Sequence, residues 1–304
     1  MTTERSETTS VEGFYPEPRR PHDEHGAAAT ASRLLDLGRL LRRTDLSPGP
    51  VVDAAFGELV GLCCHPPAVP AERILDRIGP EADGIRALCA TGEGLMERHW
   101  ARRIADAADP RAELARFPYL QNYHDLVRLE LGALAAAGRP VPRRAVVLGS
   151  GPLPLTGLVL ARRYGTRVLH VDRDADAADA GQAVAEATGT PGVRSLVADL
   201  SAPEPDPRLT GELAAADVVL LGALVGADAV AKDAITARLA AAAGPGTTLL
   251  VRSATGLRTL LYPEVRAADL PALEVLLEVH PHTDVVNSVL VARRRTHEDV
   301  LAIS

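Results

Sequence analysis

Sulfur and aromatic residues are scarce in this chain of 304 residues: it has three cysteines, two methionines, one tryptophan, three phenylalanines and five tyrosines. Cys63 and Cys64 are adjacent and Cys89 stands alone. That count and spacing give neither a disulfide framework nor a zinc-ligand pattern, so a reducing cytoplasmic compartment and no metal are expected. No apolar run approaches the roughly 18–20 residues of a membrane span. The stretch from Met1 to His25 is polar and lacks the apolar centre of a signal peptide. Basic residues are not in excess. The net charge is -7, whereas a nucleic-acid binder usually presents a basic face. The expected partners are small-molecule substrates, with no nucleic acid and no membrane, and a homodimer is left open. Hydrophobic residues make up 46% and charged residues 24% of the chain, enough for a sizeable core in one large domain or two ordinary ones.

Residues 1–28 are rich in Thr, Ser, Glu, Pro and His and are expected to form a disordered tail, with Phe14 and Tyr15 its only large apolar side chains besides Met1 and Val11. From 29 to 139 the apolar positions recur at helical spacing, as in Leu34, Leu37 and Leu41, or Val52, Phe56, Leu59 and Val60. Breaks at Pro66-Pro67, Gly79-Pro80 and Pro110 divide this part into five or six helices, read as a helical domain. Arg139 to Arg144 reads as a linker. Residues 140–296 then alternate strands with helices, and 297–304 form a second tail. The expected strands are Ala145–Leu148, Arg167–Val171, Val193–Val197, Val218–Leu221, Thr247–Arg252, Leu273–His280 and Val285–Arg293. Leu155–Tyr164, Ala175–Thr188 and Ala227–Ala243 are helical in period. Such alternation implies a parallel doubly wound sheet. Only Pro281 to Asp284 separate the last two strands, too few residues for a crossover, so these two form an antiparallel hairpin. The fold class expected is α/β, a Rossmann-like sheet of the S-adenosylmethionine-dependent methyltransferase type with an antiparallel terminal hairpin, plus an N-terminal helical domain.

The chain is organised around Val146 to Thr156, a buried strand that breaks into Gly149-Ser150-Gly151 and opens a helix. About twenty residues on, a second strand ends at Asp172, which completes a mononucleotide-binding device: glycines for close backbone approach, an acid for ribose hydroxyls. In such a sheet the ligand lies beyond the carboxyl ends of the strands. The residues there are Gly149, Ser150, Gly151 and Thr156; Asp172 and Asp174; Asp199 and Leu200; Ala223, Leu224 and Val225; and Arg252. Asp199 either accepts the adenine amine or starts a turn with Ser201. Arg252 ends an apolar strand and either grips a carboxylate or serves a structural ion pair. In the helical part, Glu93 and Glu97 share one helical face. Tyr119 and Tyr123 are either core residues with wet tips or a ligand-facing pair. His280 and His282 have metal-binding side chains but no supporting ligands.

These motifs together resemble the nicotianamine synthases. The resemblance is carried by Leu148–Thr156, Asp217–Gly226, Leu250–Arg258, Leu261–Pro263 and His280–Arg293, and in the helical part by Phe56–Val60, Glu93–His99 and Phe117–Tyr123. It implies an S-adenosylmethionine-dependent transferase in which an amine attacks the γ-carbon of the methionine moiety. The 3-amino-3-carboxypropyl group is transferred and methylthioadenosine leaves. Relatives of this type make nicotianamine or opine-type metallophores, and one branch cyclises S-adenosylmethionine to azetidine-2-carboxylate, which is the alternative reading here. The resemblance raises Glu93, Glu97, Tyr119 and Tyr123 as groups that take the amine's proton, without deciding within each pair. The chain departs from the plant pattern at Thr255, at Leu120, and at Thr283-Asp284 after His282, so acceptor identity stays open. Asp172→Ala is expected to weaken S-adenosylmethionine binding, as measured by calorimetric titration.

Overall fold

The structure, a computed structural model, describes residues 21–295 apart from 203, 205 and 227. Phe14, Tyr15 and the tail expected at 297–304 lie outside the described residues. The helical part holds α1 (Pro21–Arg42), α2 (Pro50–Cys64), α3 (Ala71–Ile78), α4 (Glu81–Ala105), α5 (Pro110–Ala115) and α6 (Leu120–Ala136). The first helix starts earlier than the sequence reading allowed, since residues 21–28 were assigned to a tail. The reason lies in packing: Ala27 is fully buried and begins the apolar stripe that continues through Ala31, Leu34, Leu37 and Leu41. Tertiary burial of that stripe stabilises a segment whose composition alone reads as tail.

The second part contains β1 (Arg144–Leu148), α7 (Leu155–Tyr164), β2 (Arg167–Asp172), α8 (Ala175–Ala187), β3 (Val193–Val197), α9 (Pro207–Ala215), β4 (Val218–Leu221), α10 (Ala229–Ala242), β5 (Thr248–Ser253), β6 (Leu273–Val279) and β7 (Ser288–Arg294). The strands form one sheet in the order β3-β2-β1-β4-β5-β7-β6. The first five are parallel, and β7 runs antiparallel to both β5 and β6. Order reverses between β1 and β4, which opens a crevice beyond the strand ends. The connection between β6 and β7 is longer than expected. The strand expected from Val285 begins at Ser288, because the stretch before it is held by other groups. Arg258 donates to the Thr283 carbonyl at 2.7 Å and Asn122 to that of Asp284 at 2.7 Å, while His65 meets the Asp284 carboxylate at 2.6 Å.

Side chains alternate across the sheet. Val147, Leu220 and Leu250 pack with α6, α7 and α8, whereas Val146, Leu148, Val219 and Leu221 pack with α9 and α10. Ile104, Leu114, Phe117, Leu126 and Leu134, from α4 to α6 and the turn between them, belong to the first of these two cores. The core therefore does not divide at residue 139, where composition changes. A third core joins α1, α2 and α3 to Ile85 of α4 and to Leu257, Leu260 and Leu261 after β5. The helical part is thus fixed to the sheet at both ends of α4. No helix among the described residues is long and apolar enough to cross a membrane.

One contact sets how closely α2 and α4 approach. A Cβ on Gly92 would lie 2.3 Å from Cζ of Phe56, so only glycine fits there. Gly132, on α6, has nothing within 4 Å of such a Cβ. Gly92→Ala is expected to destabilise by about 1–3 kcal/mol through overpacking. Gly132→Ala is expected to stabilise by up to about 1 kcal/mol through helix propensity. Urea unfolding of both variants measures the difference.

Candidate active site

A cavity of about 520 Å³ lies between the carboxyl ends of the strands and the helices above them. Its sheet side is built from backbone. Gly149 and Gly151 have φ of 70° and 64°, a left-handed conformation that costs other residues energy. A Cβ on Gly149 would meet Val225 at 2.1 Å, so the loops after β1 and β4 close on each other. Asp172 accepts from the Gly151 amide at 2.9 Å through one carboxylate oxygen and from the Asp174 amide at 3.0 Å through the other. It holds the glycine turn in shape and keeps lone pairs for a ligand's hydroxyls. Ala223, Leu224, Val225 and Leu200 line the same side.

The helical side supplies acids and phenols. Glu93 and Glu97 stand one turn apart on α4 and both face the cavity. Tyr262 donates to Glu93 at 2.5 Å, and Tyr123 of α6 lies 3.5 Å from Glu97. A Cβ on Gly151 would lie 2.5 Å from Oε2 of Glu97, so this carboxylate rests against the donor turn. Burial pushes the Glu97 carboxyl well above the ordinary carboxylate range, and neighbouring Glu93 pushes it further. Burial also raises Glu93, with the Tyr262 hydroxyl and Arg252 opposing. The phenols of Tyr123 and Tyr262 are raised by burial and then by these carboxylates. They are neutral donors at neutral pH.

Arg252, expected either to grip a carboxylate or to form an ion pair, does form the ion pair. Its Nε contacts buried Glu130 of α6 at 2.8 Å, and Nη2 donates to Thr156 at 2.8 Å. It still lines the cavity, and no protein group bonds its Nη1 among the described residues. Thr156 lines the cavity too, but it is 4% exposed and its hydroxyl serves Arg252.

The structure separates the two candidate tyrosines. Tyr123 lines the cavity, whereas Tyr119 precedes α6 and packs its ring on Phe117 at 6.0 Å, outside the cavity wall. The tyrosines are four apart, but Tyr119 is not yet in the helix, so the two do not share a face. Asp199 realises the turn: it accepts from the Ser201 amide at 2.8 Å and hydroxyl at 2.6 Å, while remaining on the exposed rim. Asp174 caps α8 and pairs with Arg98 of α4 at 2.5 Å, tying the helical side to the sheet at the rim. His280 bonds Ser288 at 2.9 Å, and no cluster of three metal-ligating side chains occurs among the described residues.

A model of the nicotianamine synthase protein family matches residues 23–299. The chain belongs to the nicotianamine synthase family. It is 40% identical to nicotianamine synthase 9 of Hordeum vulgare over 258 residues, covering 82% of this chain and 74% of that one. It is 35% identical to the nicotianamine synthase of Solanum lycopersicum, covering 84% and 80%. Among solved structures it is similar to MtNAS in complex with MTA and tNA, at 25% identity and a TM-score of 0.73, covering 90% and 98%. An MtNAS mutant in complex with S-adenosylmethionine aligns with a TM-score of 0.71 at 23% identity, covering 88% of this chain and 98% of that one.

For this family member the sequence reading missed three residues that build the site. Tyr262 had a signal in the Leu261-Tyr262-Pro263 motif but no role. Glu130 had one as a lone charge within the otherwise apolar stretch Leu129 to Leu134. Lys232 is the chain's single lysine. It is 3% exposed and donates to the Ala223 carbonyl at 3.1 Å, holding the loop after β4 from beneath. Burial lowers its pKa to about 8.

Folding raises the Glu97 pKa, so its contribution to stability is present below the unfolded carboxylate value of about 4.3 and is lost as pH rises through the folded value. Glu97→Gln is therefore expected to raise the thermal midpoint at about pH 8 and to leave it near wild type at about pH 4. Calorimetry across that range checks the sign.

Proposed function

We propose that this chain transfers the 3-amino-3-carboxypropyl group of S-adenosylmethionine to an amine, with Glu97 taking the amine's proton and the Tyr123 hydroxyl positioning that carboxylate. The observation that carries the reading is the placement of Glu97. It is a carboxylate of raised basicity set against the donor turn at Gly151 and backed by a phenol. A methyl transfer reacts at the methyl carbon, so it does not call for a base beside the aminocarboxypropyl end of the donor. An attack by an amine on the γ-carbon does need one. The amine nitrogen forms a bond to the γ-carbon as the carbon–sulfur bond breaks. The bonding pair goes to sulfur, the sulfonium becomes the neutral thioether of methylthioadenosine, and the nitrogen sheds a proton to Glu97.

The residues divide the work. The Gly149–Gly151 turn, Asp172 and the 223–225 loop hold the adenosine part. Arg252 offers the guanidinium nitrogen not engaged by Glu130 or Thr156 to a carboxylate of a bound substrate. Glu97 acts as base when ionised, and its raised pKa brings its proton affinity closer to that of the amine it serves. Glu93, held by Tyr262, keeps a second acidic group near the ammonium of the bound molecule. The donor is already activated as a sulfonium, so positioning and proton removal are the tasks left to the protein.

Incubation with S-adenosylmethionine, alone and with L-histidine added, tests this by mass spectrometry. The expected product in at least one arm is methylthioadenosine with an aminocarboxypropyl adduct. Azetidine-2-carboxylate from the donor alone would instead assign intramolecular cyclisation, and S-adenosylhomocysteine would exclude the reading. Glu97→Gln is expected to lower turnover by about 10²–10⁴-fold with donor binding retained. In wild type, kcat/KM is expected to rise with pH through a limb lying above the ordinary carboxylate value of about 4.3, and the Glu97→Gln variant to lack that limb.

A further inference from the structure

Asn287 stands immediately before β7, is 7% exposed and lines the cavity, yet its Nδ2 has no hydrogen-bond partner. A buried amide left unpaired is a cost to the folded chain that packing alone does not explain. Its neighbour identifies what it faces. Arg252 on β5 pairs with Val289 on β7, and Asn287 lies two residues before Val289. Diagonal neighbours of this kind are about 7–8 Å apart on the same side of a sheet, close enough for one small group to touch both. The Glu130 pair fixes the guanidinium, and Nη1 is the nitrogen that it leaves over.

The charges around this end of the cavity are specific. Arg252 lies within electrostatic reach of both Glu93 and Glu97, and Glu93 accepts from Tyr262. His170 also lines the cavity but is 1% exposed, without a partner, and held neutral, with a pKa lowered to about 3 by burial and by Arg252. A cation beside an unpaired amide, with a carboxylate opposite, matches the two charged ends of an α-amino acid.

We propose that Asn287 and Arg252 form an α-carboxylate subsite that seats the zwitterionic end of an amino acid, its ammonium toward Glu93. This deepens the transferase reading and rests on it. The same chemistry is offered by two sources, the methionine end of the donor and an acceptor amino acid. The subsite decides which small molecules enter: a ligand without an α-carboxylate leaves the Asn287 amide unpaired.

Asn287→Leu tests it, with Asn287→Asp as a second variant that supplies Arg252 with an internal carboxylate. Ligand-free thermal midpoints are measured first, and that of Asn287→Leu is expected to equal or exceed wild type, since a structural role would lower it. Binding of S-adenosylmethionine and of methylthioadenosine, which lacks the amino acid end, is then titrated. If the donor fills the subsite, S-adenosylmethionine binds about tenfold or more weakly to both variants, while methylthioadenosine is unchanged. If an acceptor fills it, both affinities hold and methylthioadenosine release at saturating S-adenosylmethionine falls about tenfold. Equal weakening of both ligands, or no change in affinity and release, overturns the proposal. Formation of S-adenosylhomocysteine by wild type would sink the transferase reading instead, and the two binding titrations would still stand as measured.

Discussion

The site depends on one close approach, the Glu97 carboxylate of α4 against the backbone of Gly151. A side chain at Gly151 would displace the Glu97 carboxylate from the turn, and the left-handed φ of 64° disfavours one in any case. That approach does two things at once. It takes Glu97 out of bulk water, which raises its proton affinity, and it places that basic oxygen where the donor turn opens. The rest of the fold serves this contact. The Gly92–Phe56 packing sets α4 against α2, the Arg98–Asp174 pair ties α4 to the loop after β2, and the core shared by Ile104 and the sheet fixes its far end.

A second buried interaction bears on how the cavity keeps its shape. The Arg252–Glu130 pair crosses from β5 to α6 with side chains 11% and 2% exposed. A buried ion pair returns little net stability over an apolar pair of the same volume, while loss of one partner leaves an uncompensated charge. Its value here lies in orientation. The pair and Thr156 engage Nε and Nη2 and leave Nη1 over in a residue that lines the cavity.

The half of the site proposed to hold the donor was legible in the sequence because its geometry is local. Val146 to Thr156 and Asp172 fall within one strand–turn–helix–strand unit, where spacing alone fixes which residues meet. The terminal hairpin was legible for the same reason, although its connection was read too short: the groups that hold residues 283–284, Arg258, Asn122 and His65, come from three distant segments. The other half of the cavity wall comes from α4, α6, the segment after β5 and the residue before β7. Sequence spacing placed Glu93 and Glu97 on one face but could not separate Tyr123 from Tyr119, since that depends on where α6 begins. Glu130 carries no motif and Asn287 lies within the His280–Arg293 motif without a role read from it, and only helix packing and the cross-strand register relate them to Arg252.

The most direct test of the account is where the donor's carbon atoms go. S-adenosylmethionine carrying a ¹³C-labelled methyl group would be turned over by the wild-type protein and the products read by mass spectrometry. Cleavage at the γ-carbon predicts that all label stays in methylthioadenosine and that the nitrogen-containing product carries an unlabelled aminocarboxypropyl group. Label on the nitrogen-containing product, with S-adenosylhomocysteine alongside it, would contradict the account.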